Sequence, residues 1–274
     1  MDLSDHPVHR IAATGRDLLW GRWHHDRISH KGYAFEARIY LKSIRGLRTP
    51  KKFVIIGRPR SGTTLLVRLL NQVDAISCHG EILHHAVANP VRFLDLHART
   101  RPDSAECVGA KIISYQMFQV QRLKDHTRFL TQLAQRGFQF IHARRNTFDQ
   151  CLSLSTAQKS QTYHVAQGAS DRSLEMALDV DQFIQQVRWN LAMLDYETQL
   201  LARFDPFVVH YDTDLKQPQN HQQTIDGICA WLGQASNAVQ ADLKRTSRMT
   251  TITNQDVLKR AIQQAGLSQA LTDG

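Results

Sequence analysis

Two arginines, a serine and two threonines crowd into GRPRSGTTLL (57–66), directly after the apolar run FVII. A strand, a glycine-containing turn and a helix starting near Thr63 would aim successive backbone N–H groups at an anion. The helix dipole adds partial positive charge at the same spot. Arg60 contributes a full charge on a planar donor fork, and Thr63 and Thr64 contribute hydroxyls. Arg58, Pro59, Arg60, Ser61, Gly62, Thr63 and Thr64 therefore form a candidate anion-binding loop. A nucleoside-triphosphate loop of the P-loop kind would carry Lys after its second glycine. Here Thr63 follows Gly62, and the basic residue, Arg60, comes before it.

A second constellation lies in FIHARRNTFDQCLSL (140–154). Arg145 leaves the end of an apolar run, and Ser153 would sit about two turns into the next helix, so both can converge on one phosphate. In CHGEILHH (78–85), Glu81 would emerge near the carboxyl end of a strand, where α/β sheets bind ligands. Its bland alternative is a helix-start carboxylate favoured by the dipole. Lys111 interrupts the apolar run VGAKII. A buried strand tolerates it only with a partner, either Glu81 or an anionic ligand; otherwise it is a strand-end lysine reaching solvent. Tyr163 and His164 belong to the polar stretch QKSQTYHVAQGASDRS (158–173), which reads as a loop able to cover a site.

Five short apolar runs must position these groups: KFVIIG (52–57), AISCHG (75–80), VGAKII (108–113), FQFIHA (138–143) and PFVVHY (206–211). Such runs suit strands buried on both faces of a parallel sheet. They alternate with helical stretches such as TTLLVRLLNQV and DVDQFIQQVRWNLAMLDYETQLLARF. The expected fold is α/β, a doubly wound parallel sheet of about five strands flanked by helices. Residues 51–274 would form this domain. Residues 1–50 would be a basic helical extension, whose Arg16, Trp20, Arg22, Trp23 and Arg27 suggest a peripheral membrane or subunit contact.

A chain of 274 residues with 42% hydrophobic and 22% charged residues suits a globular protein with a full core. No apolar stretch approaches the roughly 20 residues of a membrane span, and the first residues lack a secretory apolar core. The four cysteines show no CxxC pair, so reduced thiols in a cytoplasmic protein are expected. The 14 histidines lack helical metal-ligand spacing, and no metal is expected. A net charge of +9 implies an affinity for anions. Nucleic acid ranks behind other anions, because no zinc finger, aromatic RNA-binding motif or long basic tail is present.

GRPRSGTT resembles the 5′-phosphosulfate loop of sulfotransferases that use 3′-phosphoadenosine 5′-phosphosulfate (PAPS), in which a basic residue precedes Ser-Gly-Thr. PAPS has no β,γ-phosphates for a lysine to grip. Arg145 and Ser153 are similar in spacing to that family's 3′-phosphate element. VVHYDTDLKQPQNHQQTIDGICAWLG (208–233) resembles its YEDL…P…I…FLG stretch, with Tyr211 conforming and Asp212 and Thr213 departing. RRNTFDQCLSLSTAQKSQTYH and TTITNQDVLKRAI look like bacterial carbohydrate members, of the trehalose and nodulation-factor type. The likeness spans roughly residues 52–260. It implies PAPS as co-substrate, adenosine 3′,5′-bisphosphate (PAP) as product and a glycan, glycolipid or similar hydroxyl acceptor. It also implies Glu81 as the base, with His79 and His84 as rivals. The shape of the acceptor pocket would lie in loops 82–106 and 158–175, whose residues spell no particular acceptor. A P-loop kinase and a non-catalytic polyanion-binding or membrane-binding module are the competing expectations.

Overall fold

The computed structural model of the chain describes residues 3, 6–9, 30–44, 49–100, 105–160, 174–240 and 250–273. Strands β1 (Lys51–Gly57), β2 (Ile76–Glu81), β3 (Cys107–Ile113) and β4 (Phe138–Arg144) appear in that order along the chain. β5 (Leu174–Met176), β6 (Phe207–His210) and β7 (Thr250–Ile252) follow. The main sheet has five strands in the order β2-β3-β1-β4-β6, and β5 pairs with β7 in a separate ribbon. Every pairing is parallel. The helices are α1 (His30–Ser43), α2 (Thr63–Leu70), α3 (Pro90–Arg99), α4 (His126–Ala134), α5 (Thr147–Ser160), α6 (Val180–Leu201), α7 (His221–Leu232) and α8 (Gln255–Gln264).

The unbroken apolar reading of β1 follows from burial on both faces. Val54 and Ile56 enter one core with Ile112, Phe140, Met193 and Leu200. Phe53 and Ile55 enter the other with Leu66, Leu69, Ile225 and Ile228. Helices thus cover both sides of the sheet, as the alternating pattern predicts. The Phe53 ring lies over Gly109 of β3, where a Cβ would meet it at 2.1 Å, so only glycine fits. A third cluster ties α5 to α6 and α8 through Phe148, Cys151, Phe183, Leu258 and Ile262.

Because the strands of the main sheet run parallel, Gly57, Glu81, Ile113, Arg144 and His210 all emerge at one edge. Open α/β sheets bind ligands at this edge.

Several sequence expectations are revised. PFVVHY ends as a strand at His210, and Tyr211 opens a wide, π-type helical turn, Tyr211–Leu215. Residues 158–160 continue α5 rather than opening a loop, and β5 occupies Leu174–Met176 within segment 158–175. Segment 82–106 contains α3, started by Asn89, whose side chain accepts from the Arg92 N–H at 3.0 Å. Tyr163, His164 and the arm residues Arg16, Trp20, Arg22, Trp23 and Arg27 lie outside the described residues.

His126 opens α4 and joins it to α6, its Nδ1 standing 2.8 Å from the Tyr196 hydroxyl. The Phe118 ring packs edge-on at 4.2 Å. Burial, with His9 nearby, pushes the imidazole down to about 4. Between pH 6.5 and about 4 the unfolded chain takes up a proton that the folded chain refuses. Stability contributed by neutral His126 is therefore present above pH 6.5 and lost as pH falls, at most about 3 kcal/mol across the window. Urea denaturation at pH 7.5 and pH 5 should show this loss in the wild type and a shallower one in His126→Gln. An equal pH dependence in both would contradict the assignment.

Candidate functional site

The loop after β1 is held in an unusual backbone shape. Arg60 adopts φ 67° and Gly62 φ 83°, both left-handed. A non-glycine residue in that region is costly and persists only when its surroundings fix it. They do so from three sides. The Ser61 hydroxyl donates to the Arg58 carbonyl at 2.8 Å, Gln150 Nε2 donates to the Pro59 carbonyl at 2.7 Å, and Arg145 Nη1 donates to the Arg60 carbonyl at 2.9 Å. Tyr211 closes the fourth side. A Cβ at Gly62 would lie 2.4 Å from its ring, and the Arg145 guanidinium stacks over the same ring at 4.4 Å.

Helix α2 begins at Thr63. Its N-cap, Gly62, supplies no side-chain acceptor, and its first turn holds no acidic residue. Its first N–H groups, which no helix can satisfy internally, are thus left for an anion. The start of α5 is the opposite case. Asp212 Oδ2 accepts from the Asn146 N–H at 2.7 Å, Asp273 Oδ1 accepts from the Thr147 N–H at 2.8 Å, and Asn146 Oδ1 accepts from the Asp149 N–H at 3.0 Å. That helix end is closed by the chain's own oxygens, so α5 can offer an anion only side chains. Ser153 is one of them, and Arg60 Nε donates to its hydroxyl at 3.1 Å. The two candidate phosphate elements are therefore in direct contact.

Arg58 departs from its expected place. Its side chain is fully buried beneath the loop, not turned toward the opening. Nη1 donates to Thr147 Oγ1 at 3.1 Å and to the Asn190 carbonyl at 3.0 Å, and Nη2 donates to the Arg145 carbonyl at 3.2 Å. Its Nε stands 3.9 Å from Glu197, itself buried against Ser114 and His142. Burial lowers the guanidinium's pKa, and the Glu197 charge opposes that. Ser61 is likewise buried and bonded within the loop. Sequence spacing cannot separate Arg58 from Arg60; what divides them is which way each leaves the turn.

At the other end of the edge, β2 carries a bulge between His79 and Glu81, so that Glu81 rather than Gly80 stands opposite Lys111 on β3. A bulge re-aims a side chain in this way. Lys111 Nζ lies 2.9 Å from Glu81 Oε1 and donates to Thr64 Oγ1 at 3.1 Å. Of the two readings of Lys111, the paired and buried one holds. Gln116 Nε2 and the Tyr115 hydroxyl donate to Glu81 Oε2 at 3.0 and 3.3 Å. Burial, and then the Glu81 charge, raise the Tyr115 phenol, which stays a donor. Neither Tyr115 nor Gln116 carries a sequence signal, because their role depends on a helical turn, Gln116–Val120, that directly follows β3.

His84 is exposed beside His85, and His79 packs its ring edge-on to His97 at 4.4 Å. Arg144 also reaches this edge, and it meets no carboxylate among the described residues. The four cysteines are free and buried, and burial pushes the Cys107 and Cys151 thiols up to about 12. Among the described residues no group of His, Cys, Asp and Glu is arranged to hold a metal. No protein-family model matches the chain, and no curated protein matches it.

The division between the two arginines is measurable. Arg58→Ala leaves Glu197 buried without its cation and should cost about 3–5 kcal/mol of stability. Arg60→Ala, in the half-buried loop, should stay within about 1 kcal/mol of wild type while weakening inorganic sulfate binding. Comparable losses of stability in the two variants, by urea denaturation, would contradict this.

Proposed function

We propose that the chain is a sulfotransferase that moves the sulfuryl group of PAPS to a hydroxyl of a carbohydrate, glycolipid or similar acceptor and releases PAP. The observation that carries this reading is the contact between Arg60 and Ser153, which makes one cradle of two phosphate elements. The strand–loop–helix unit at β1 and α2, within its parallel sheet, supports a P-loop-type architecture for it.

The residues present fit a nucleotide with anionic groups at two positions. Arg60, Thr63, Thr64 and the open N–H groups of α2 would hold the 5′-phosphosulfate. Arg145 and Ser153 would hold the 3′-phosphate, with Tyr211 as a wall. Arg58 and Ser61 act from beneath, keeping the loop in shape. When bound, PAPS supplies a sulfuryl group whose bond to the 5′-phosphate oxygen breaks as a bond to the acceptor oxygen forms.

Glu81 takes the acceptor's proton. Its carboxylate is oriented by Lys111 on one oxygen and by Gln116 and Tyr115 on the other. Lys111 touches both this base and Thr64 of the loop, so its charge lies between the group that takes the proton and the loop that would hold the leaving 5′-phosphate. Fixed cations and donors of this kind supply most of the catalysis in such transfers.

Calorimetry with PAP and with ATP–Mg²⁺ is the deciding experiment. PAP should bind more tightly, and the reverse order would favour a P-loop kinase. Glu81→Gln should keep PAP affinity and lower kcat by about 10²–10⁴-fold, whereas His84→Ala should cost far less. Normal turnover by Glu81→Gln beside an inactive His79→Ala or His84→Ala would move the base to histidine. Arg145→Ala and Ser153→Ala should raise the PAPS KM more than they lower kcat, since the groups they hold lie away from sulfur. A pure kcat loss would contradict their placement.

A further inference from the structure

We propose that the outward side of α1 docks the protein on an anionic lipid surface. Leu41 and Ile44, at 63% and 80% exposure, are the most exposed large apolar side chains among the described residues. They stand three residues apart, one turn of helix, and so share a side. Ala34 and Ala37 extend that exposed side toward the start of the helix, and Arg38 and Lys42 are exposed beside it. The single acidic residue of α1, Glu36, is buried on the opposite side. At the border, the Arg92 guanidinium covers the Tyr40 ring at 4.6 Å and adds a further cation.

An apolar ridge flanked by cations, with no exposed acid, complements a surface that is apolar inside and anionic at its headgroups. It does not complement itself. A second copy packed ridge to ridge across a two-fold axis would bring Arg38 and Lys42 against their own counterparts.

The helix is also fastened to the region of the site. Glu36 Oε2 accepts from the Ala88 N–H at 2.8 Å and Oε1 from the Asn89 N–H at 3.3 Å. Residues 88 and 89 end the segment that begins at Glu81. A lipid surface held by α1 is thus held next to that segment. The inference does not rest on the reaction proposed above.

The test is cosedimentation of the full chain with phosphatidylcholine vesicles and with mixed phosphatidylcholine–phosphatidylglycerol vesicles. Binding is expected to the mixed vesicles and to weaken with salt. The double variant Leu41→Ser, Ile44→Ser should lose about tenfold or more of that binding with its urea midpoint unchanged. Arg38→Gln with Lys42→Gln should abolish the preference for the anionic vesicles. Three outcomes would overturn the proposal: no sedimentation with either vesicle, wild-type binding by the serine variant, or a dimer in light scattering that the serine variant dissolves. PAP calorimetry on the same variants separates this question from the reaction, since it should be unaffected whichever way the vesicles answer.

Discussion

A cation with no access to solvent underlies the site. Burying a guanidinium is costly unless its charge is paired and its donors are bonded. Arg58 is held on three different elements: Nη1 and Nη2 donate to the Asn190 carbonyl on α6, to Thr147 at the start of α5 and to the Arg145 carbonyl after β4, while Nε makes no hydrogen bond and faces Glu197 on α6 at ion-pair distance. None of these can move away without stranding the charge. The loop after β1, the strand end bearing Arg145 and the helix bearing Ser153 are therefore fixed relative to one another by one side chain beneath them. Asp273 extends the same constraint to the segment after α8, because it holds both the N–H and the hydroxyl of Thr147.

The Glu81 end of the candidate site is built differently, by backbone register. One extra residue in β2 sets Glu81 opposite Lys111, and Lys111 then reaches Thr64 at the start of α2. The pair is partly open to solvent at Glu81 and closed at Lys111, with side-chain exposures of 28% and 7%. The lysine is therefore the enclosed member, and the carboxylate is the one open to solvent. A chain of contacts from Gln116 through Glu81 and Lys111 to Thr64 connects the outer strand β2 with the helix that follows the central strand β1.

How far this was legible in the sequence depends on the range of the interaction. The five strands could be read because both faces of the sheet are apolar, which leaves continuous runs such as FVII. The strand–turn–helix at β1 and α2 could be read because its residues are contiguous. The partnership of Lys111 with Glu81 could be anticipated, since a lysine in a buried strand demands an anion. What could not be read was direction and distance. Arg58 and Arg60 are equivalent as letters, and a left-handed residue at position 60 separates them. The hold of Asp273 on Thr147 joins residues 126 apart in sequence, and nothing near either one announces it. Tyr115 and Gln116 orient a carboxylate only because the chain coils immediately after β3, whereas a sequence pattern there suggests no site at all.

The charge at the sheet edge is divided in a way that leaves it receptive. Two of its cations are matched internally, Arg58 by Glu197 and Lys111 by Glu81. Arg145 is instead held by a carbonyl and an aromatic face, and Arg144 has no carboxylate partner among the described residues. Burial and then the Arg144 charge lower the pKa of the neighbouring His210, while the Asp214 and Asp212 charges oppose them. A dipole or a ring can position a guanidinium but cannot cancel its charge. The edge is therefore rigid, and two of its guanidiniums stand there without a carboxylate in contact among the described residues. An anion entering beside Arg145 would meet donors already in position, so little of its binding energy would go into ordering them.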